Sequence, residues 1–300
     1  MIRHVGASPA DFDIVAQCDI VILSVQMSRT EEMIMRVVPR MKKGALLLDT
    51  CSVKVDPCAW LEKYATKDIQ IMGTHPMFGA VTSKFDIEEM KWKLAGLQIV
   101  LCPLRIEKKL LGDIKKFLEK IGLEVIETNP IDHDKQNAKT LSFVHFIGRA
   151  FLRAGIKEQK IFTPGYSDLL KILPHTTSDN WQLFYDMNNL NHYADQVREH
   201  FLESSFEIEE KIMKSRVEDD FAFHRSMIDL LDKRILSLLE KRFFHAEAIG
   251  KIKKKKGIAI VDKKRESEIV AKRAEESGLD EEFMKRFYKV VFEEARRRQA

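Results

Sequence analysis

The sequence predicts an α/β domain with a mostly parallel sheet, then a helical middle region, then a separate three-helix all-α domain. Three observations carry that expectation. Short apolar runs alternate with helical periodicity over the first 128 residues. Strand signals vanish after Ile131. A forty-residue helical pattern with no proline, broken only by Gly250, then runs from Val217 to Lys256. The expected boundaries are 1–129, 130–215 and 216–300.

The strand candidates are Asp19–Val25, Ala45–Cys51, Ile69–Thr74, Leu97–Pro103 and Leu123–Thr128, each a short apolar run. Helical patterns at Arg29–Met41, Asp56–Ala65 and Ile106–Ile121 separate several of them, which implies βαβ units. Pro164-Gly165 and Pro174 cut the middle region into separate helices. Past the long helix, Gly257 is a stop, Asp262 an N-cap for a helix to Ser277, and Asp280 a cap for a last helix.

Composition narrows the classes. At 300 residues, 45% hydrophobic and 32% charged, the chain is too long for one typical core. Lys+Arg 50 against Asp+Glu 46 leaves a net charge of +4, too mild to indicate nucleic-acid binding but suited to small anionic substrates. No apolar run approaches the ~18 residues of a membrane span, and the start MIRHVGASPADFD lacks a basic-then-apolar signal segment. The four cysteines form no C-x-x-C pair and sit in or beside apolar runs, which reads as buried free thiols in a reducing cytoplasm. Membrane, secreted, disulfide-stapled and zinc-ribbon classes are set aside.

The basic residues of the long helix are spaced for an anion. Arg242 and Lys253 are eleven residues apart, which returns to within about 20° of one face and separates them by roughly 16 Å along the axis. Arg225 lies seventeen residues before Arg242, about 25 Å away, too far to share a small ligand with it in one chain. If both serve one site, Arg225 comes from a second copy, and the expectation is a homodimer.

The segment FHRSMIDLLDKRILSLLEKRFFHAEAIGKIK…VDKKRESEIV…LDEEFMKRFYKVVFEEARRRQ resembles the all-helical chorismate mutases. Arg225, Arg242, Lys253, Asp262, Arg265, Glu266 and Gln299 fall in register with that family's active-site positions. The resemblance implies two interlocked chains, each lending an arginine to its partner's site, and the rearrangement of chorismate to prephenate without a cofactor. It also implies roles: Arg242 and a second copy's Arg225 on the substrate carboxylates, Lys253 and Gln299 at the ether oxygen, Asp262 and Glu266 at the ring hydroxyl, and Arg265 orienting them. Ala295 stands where that family often has a serine.

In the first region, polar residues sit where a doubly wound sheet places its site, at the carboxyl edge. Ser52 and Lys54 follow one strand in LLLDTCSVK, and His75 follows the next in IMGTHPMFG. These strings resemble the prephenate dehydrogenases, more weakly from Asp19 to Glu210. The resemblance implies a Rossmann-like fold, NAD(P) as cofactor, and oxidative decarboxylation of prephenate to 4-hydroxyphenylpyruvate in tyrosine biosynthesis. It implies His75 at the prephenate hydroxyl, Ser52 between nicotinamide and substrate, and His145 as a second substrate-facing histidine. Lys171 is the nearest candidate for the family's carboxylate-binding arginine. A dinucleotide fold opens with strand, G-x-G-x-x-G and helix, and this chain begins after them, with Gly6 alone. Either the sequence is part of a longer dehydrogenase, or cofactor binding is lost and the region persists as a scaffold. The reading is thus a mutase fused to a dehydrogenase region of reduced activity. One alternative is a mutase with a structural or tyrosine-sensing N-terminal module, and another is a non-catalytic helical dimerisation protein.

Overall fold

The computed structural model describes residues 8–79, 84–86, 91–215 and 221–299. Gly6 and the expected start of the long helix at Val217 lie outside the described residues. The chain divides into two compact units, 1–210 and 211–300.

In the first unit a five-stranded sheet has the order β1 (Ile20–Leu23), β2 (Leu46–Asp49), β3 (Gln70–Pro76), β6 (Gln98–Arg105), β7 (Glu124–Glu127). A separate hairpin joins β4 (Lys84–Asp86) to β5 (Lys91–Lys93). Strands β1, β2 and β3 are mutually parallel, as are β6 and β7, but β6 runs antiparallel to β3. The reason lies in the connection. The hairpin occupies the stretch between β3 and β6, with no helical crossover among its described residues, so the chain re-enters the sheet reversed. Alternation along β2 sends Leu47 to one face, against α2 (Thr30–Val37) and α3 (Val55–Tyr64) through Ile34, Val37 and Leu61. Leu46 and Leu48 face the other side, where α4 (Lys108–Lys120) applies Leu110, Leu111, Ile114 and Leu118. Strand β3 runs further than the apolar pattern indicated, so His75 lies within the sheet, paired with Val100, instead of just past it. Of the four thiols Cys51, Cys58 and Cys102 are buried, whereas Cys18 is exposed.

Helices α5 (Pro130–Asn137), α6 (Phe143–Arg153), α7 (Pro164–Leu170), α8 (Leu173–Thr177) and α9 (Trp181–Asn189) make up the middle region, with a π turn over Ala138–Ser142 before α6. Its α9 lays Met187, Leu183 and the following Leu190 on Met27, Cys51 and Val53 at the carboxyl edge of the sheet. The expected boundary at 129/130 is therefore an internal seam, because apolar side chains from both sides share one cluster. The long α10 (Ala194–Lys214) runs across the boundary between the units.

The second unit holds α11 (Phe221–Lys256), α12 (Lys263–Ser277) and α13 (Glu281–Gln299). Gly257 and Gly278, both left-handed, end α11 and α12. The Asp262 carboxylate accepts the Arg265 amide at 2.9 Å and Asp280 accepts that of Phe283 at 2.8 Å, so both caps form as expected. Phe243, Val291 and Ala295 form its small core. Among the described residues, no helix is long and apolar enough to cross a membrane.

Close packing of α6 on α8 gives a direct check. A Cβ at Gly148 would stand 1.9 Å from Thr176 Oγ1 and 2.6 Å from Thr176 Cβ. Backing Thr176 away means moving a helix, so Gly148→Ala should destabilise the first unit by about 1–3 kcal/mol, read by chemical denaturation.

Candidate functional site

The carboxyl edge of the sheet gathers unusually many buried polar side chains. Lys54, fully buried, pairs with the buried Asp49 carboxylate and donates from Nζ to the Thr74 carbonyl at 2.6 Å. Burial opposes its charge more than any one neighbour favours it, but the Asp49 carboxylate together with Cys51 and Cys58 holds the Lys54 pKa above its ordinary value. Lys54 is thus a structural strut of this edge. Beside it, Asp134 of α5 takes the Lys54 amide at 2.7 Å and the Val55 amide at 2.9 Å, capping α3 from another part of the chain. The same Oδ1 lies 2.7 Å from His133 Nδ1, and His133 Nε2 lies 2.9 Å from His75 Nδ1. Asn191 closes the cluster with its amide on the Asp134 carbonyl at 3.0 Å.

In front of His75 opens a cavity of about 480 Å³. Ser52, His75, His145, His175, Asp179 and Met187 are among its lining residues. Three of the expected residues, Ser52, His75 and His145, therefore meet at one cavity. Ser52 is half-buried, its carbonyl held by the Asn137 amide. His145 is buried, with Nδ1 lacking a hydrogen-bond partner and 3.8 Å from Asp179. Lys171 is placed elsewhere: it is exposed, paired with Asp168 at 2.6 Å, and absent from the cavity lining. Polarity on a short helix could not tell an inward cation from a solvated one. Conversely, His133 and Asp134 were missed by the sequence reading. Their only signal was an N-cap, Asn129, placing them within the first two turns of a helix that begins at Pro130.

A nicotinamide dinucleotide needs a free helix N-terminus for its pyrophosphate. At this edge the α3 amides are spent on Asp134, and the Ser28 amide before α2 is taken by Asp186 at 3.2 Å. Ser52 and His75 suit the ring end of such a cofactor. At these two helix starts, amides that a pyrophosphate would use are already bonded to carboxylates.

In the second unit two of the expected positions, Arg242 and Lys253, share one face of α11. Arg242, Ala246, Gly250 and Lys253 follow one stripe. The Arg242 guanidinium lies 5.4 Å from the Phe292 ring centroid, and its Nη1 is buried without a hydrogen-bond partner. Gln299 donates to the Ala246 carbonyl at 2.9 Å and lies against Gly250, where a Cβ would meet it at 2.9 Å. Lys253 Nζ donates to the Ile260 carbonyl at 2.9 Å. Glu266 is held by Arg296 at 2.8 and 3.0 Å, a partner the sequence reading missed. Helical phase could have found it, since Arg296 shares a face with Phe292 and Gln299. Asp262 serves as a cap, and the exposed Arg265 guanidinium lies 3.9 Å from Glu268. Arg225 is exposed over the Phe221 ring at 4.5 Å, and the unbroken α11 keeps it about 25 Å from Arg242.

Burial pushes the His75 pKa well below its ordinary value, with His133 and Lys54 adding to the effect, and burial also lowers that of His145. The folded state resists a proton that the unfolded chain takes up below about pH 6.5. Stability of the first unit is therefore full above that value and lost as the pH falls through it. Thermal melts from pH 7.5 to 5 should show this decline, and His75→Asn should shallow it.

Comparison with known proteins follows the same division. Residues 4–127 match the family model "Prephenate dehydrogenase, nucleotide-binding domain", residues 224–300 match "Chorismate mutase type II", and residues 151–222 match "TYRAAT1-like, C-terminal domain". A similar relative is arogenate dehydrogenase 2, chloroplastic, of Arabidopsis thaliana, 31% identical over 215 residues, covering 68% of this chain and 56% of that protein. The T-protein of Haemophilus influenzae is 33% identical over 136 residues, 44% of this chain and 32% of that protein. The chain thus spans well under two thirds of either relative. Among solved structures, prephenate dehydrogenase from Aquifex aeolicus with hydroxyphenyl propionate and NAD+ shares the fold, with a TM-score of 0.55 at 20% identity over 77% of this chain and 82% of that one. One polypeptide therefore carries, in a Rossmann-like first unit, a match to the nucleotide-binding domain of the prephenate dehydrogenases and, in its second unit, a match to type II chorismate mutase.

Proposed function

We propose that the second unit rearranges chorismate to prephenate, and that the first unit binds the product's ring in its cavity but oxidises it weakly or not at all. The observation carrying the mutase reading is the buried Arg242 Nη1 without a partner, on the α11 stripe that also presents Lys253 and receives Gln299 of α13. A pericyclic rearrangement needs no nucleophile and no acid or base. It needs a dicarboxylate held in its compact conformer and donors where charge develops on the ether oxygen. Guanidinium forks suit the carboxylates. Lys253 spends one of three protons on Ile260 and keeps two for the ether oxygen, with Gln299 beside it. Glu266, oriented by Arg296, faces the ring hydroxyl, and Arg265 with Asp262 shapes the start of α12.

A second copy completes this site. Arg225 cannot reach Arg242 along a continuous helix, and α11 leaves Phe221, Ile228, Ile235, Leu238 and Phe244 exposed. A lone helix seldom leaves such side chains in water, so an interlocked homodimer that covers them and delivers Arg225 is the supported assembly.

In the first unit, the cavity with Ser52, His75 and His145, the family match of residues 4–127 and the arogenate dehydrogenase relative support a ring substrate of the prephenate class. The occupied helix N-termini support weak use of NAD(P) by this chain. The pairing is coherent, since the mutase's product is the dehydrogenase's substrate, in tyrosine formation and in the cytoplasm.

Two measurements test these readings. Arg242→Ala and Arg225→Ala should each lower chorismate turnover by about a hundredfold or more, as expected for lost charge-stabilising contacts. Mixing and refolding the two variants should restore about a quarter of the parental rate, since half the dimers are mixed and each mixed dimer has one intact site. No recovery on mixing counts against the shared site. With prephenate and NAD+ or NADP+, the same protein should form reduced cofactor at no more than a background rate, and brisk reduction at 340 nm overturns the assignment of weak oxidation.

A further inference from the structure

Three buried groups stand in line behind the cavity: His75 Nδ1 is 2.9 Å from His133 Nε2, and His133 Nδ1 is 2.7 Å from Asp134 Oδ1. All three side chains are nearly or wholly buried, so water does not substitute for any link. Their proton positions follow from the order of the chain. Asp134 accepts from two backbone amides and can only accept from a ring nitrogen, so His133 Nδ1 carries hydrogen. In a neutral ring that leaves His133 Nε2 bare, and it must accept from His75 Nδ1. His75 Nε2 is then a free lone pair on a side chain that lines the cavity.

We infer that His133 and Asp134 form a proton relay behind His75, so that a proton accepted at His75 Nε2 comes to rest as charge on His133. A donor hydroxyl in the cavity gives up its proton, its O–H electron pair staying on oxygen, and a bond forms to His75 Nε2. The His75 Nδ1–H bond breaks and the His133 Nε2–H bond forms. His75 ends neutral with its hydrogen on Nε2, and His133 ends as an imidazolium against the Asp134 carboxylate.

Electrostatics grades this path. The buried Lys54 ammonium disfavours charge on His75, in the direction its lowered pKa already records, whereas Asp134 sits directly on His133. His75 alone is a poor base, and the relay moves the charge to the one ring with a carboxylate at its back. His133 is thereby a positioning residue acting through His75. The hydroxyl donor rests on the ring-substrate reading above, and the relay itself does not.

The test is nitrogen-15 NMR of the histidine rings in the full-length chain. At pH 7.5 both His75 and His133 should carry hydrogen on Nδ1. On acidification the imidazolium should appear on His133 while His75 moves its hydrogen to Nε2. His75 protonated on Nε2 at pH 7.5, or His75 becoming the cation first, overturns the relay. In folded His133→Phe, which offers no acceptor, His75 should lose its preference for Nδ1–H, and an unchanged His75 tautomer there also overturns it. Should that variant fail to fold, the parental titration decides alone. Adding hydroxyphenyl propionate separates the two readings. A shift confined to His75 Nε2 supports the ring site, and a silent His75 with the relay intact removes the ring-substrate reading only.

Discussion

The Asp134 carboxylate is the constraint on which the first unit turns. It neutralises the exposed N–H dipoles at the start of α3, receives the His133 ring, and carries on its own carbonyl the amide of Asn191. An internal anion at a helix N-terminus is favourable for the same reason a bound phosphate is. The helical middle is thus locked to the sheet by the kind of interaction that a dinucleotide-binding domain ordinarily reserves for its ligand. Lys54, just before α3, turns inward to Asp49 and Thr74, so the strand end holds alternating charges in a dry setting where each depends on its partner. Removing one member would leave another buried and uncompensated.

The two units meet charge in opposite ways. Around His75, Lys54 pairs with Asp49 and His133 bonds to Asp134, and the cavity presents histidine rings, apolar side chains and the Asp179 carboxylate. Around Arg242 a guanidinium nitrogen is buried without a counterpart, which is the condition of a site prepared for an anion. On the proposed function, one unit handles a proton and the other holds a doubly charged ring still while its own electrons move, with a second chain supplying the arginine that a straight helix carries out of reach.

Legibility differed between the units for a physical reason. In α11, α12 and α13 the caps at Asp262 and Asp280, the stop at Gly257 and the stripe of Arg242, Gly250 and Lys253 follow from local rules, because helical phase maps spacing directly onto a face. Arg296 obeys the same rule and was overlooked among three consecutive arginines. In the sheet, the apolar runs marked where strands occur, and the lack of a helical pattern between β3 and β6 already held the reason for their antiparallel pairing.

What the sequence by itself determined was therefore the alternation of elements, the helical domain with its stripe of cations, and the presence of Ser52 and His75 at strand ends. Only the tertiary structure decided that His75 lies inside β3 with His133 and Asp134 behind it, that Lys54 is buried and Lys171 is not, and that two expected regions form one unit. Those outcomes depend on which residues from distant segments share a dry space. Asp134 and Lys54 are eighty positions apart along the chain yet 2.7 Å apart at Oδ1 and the amide nitrogen, and no local periodicity encodes such a meeting.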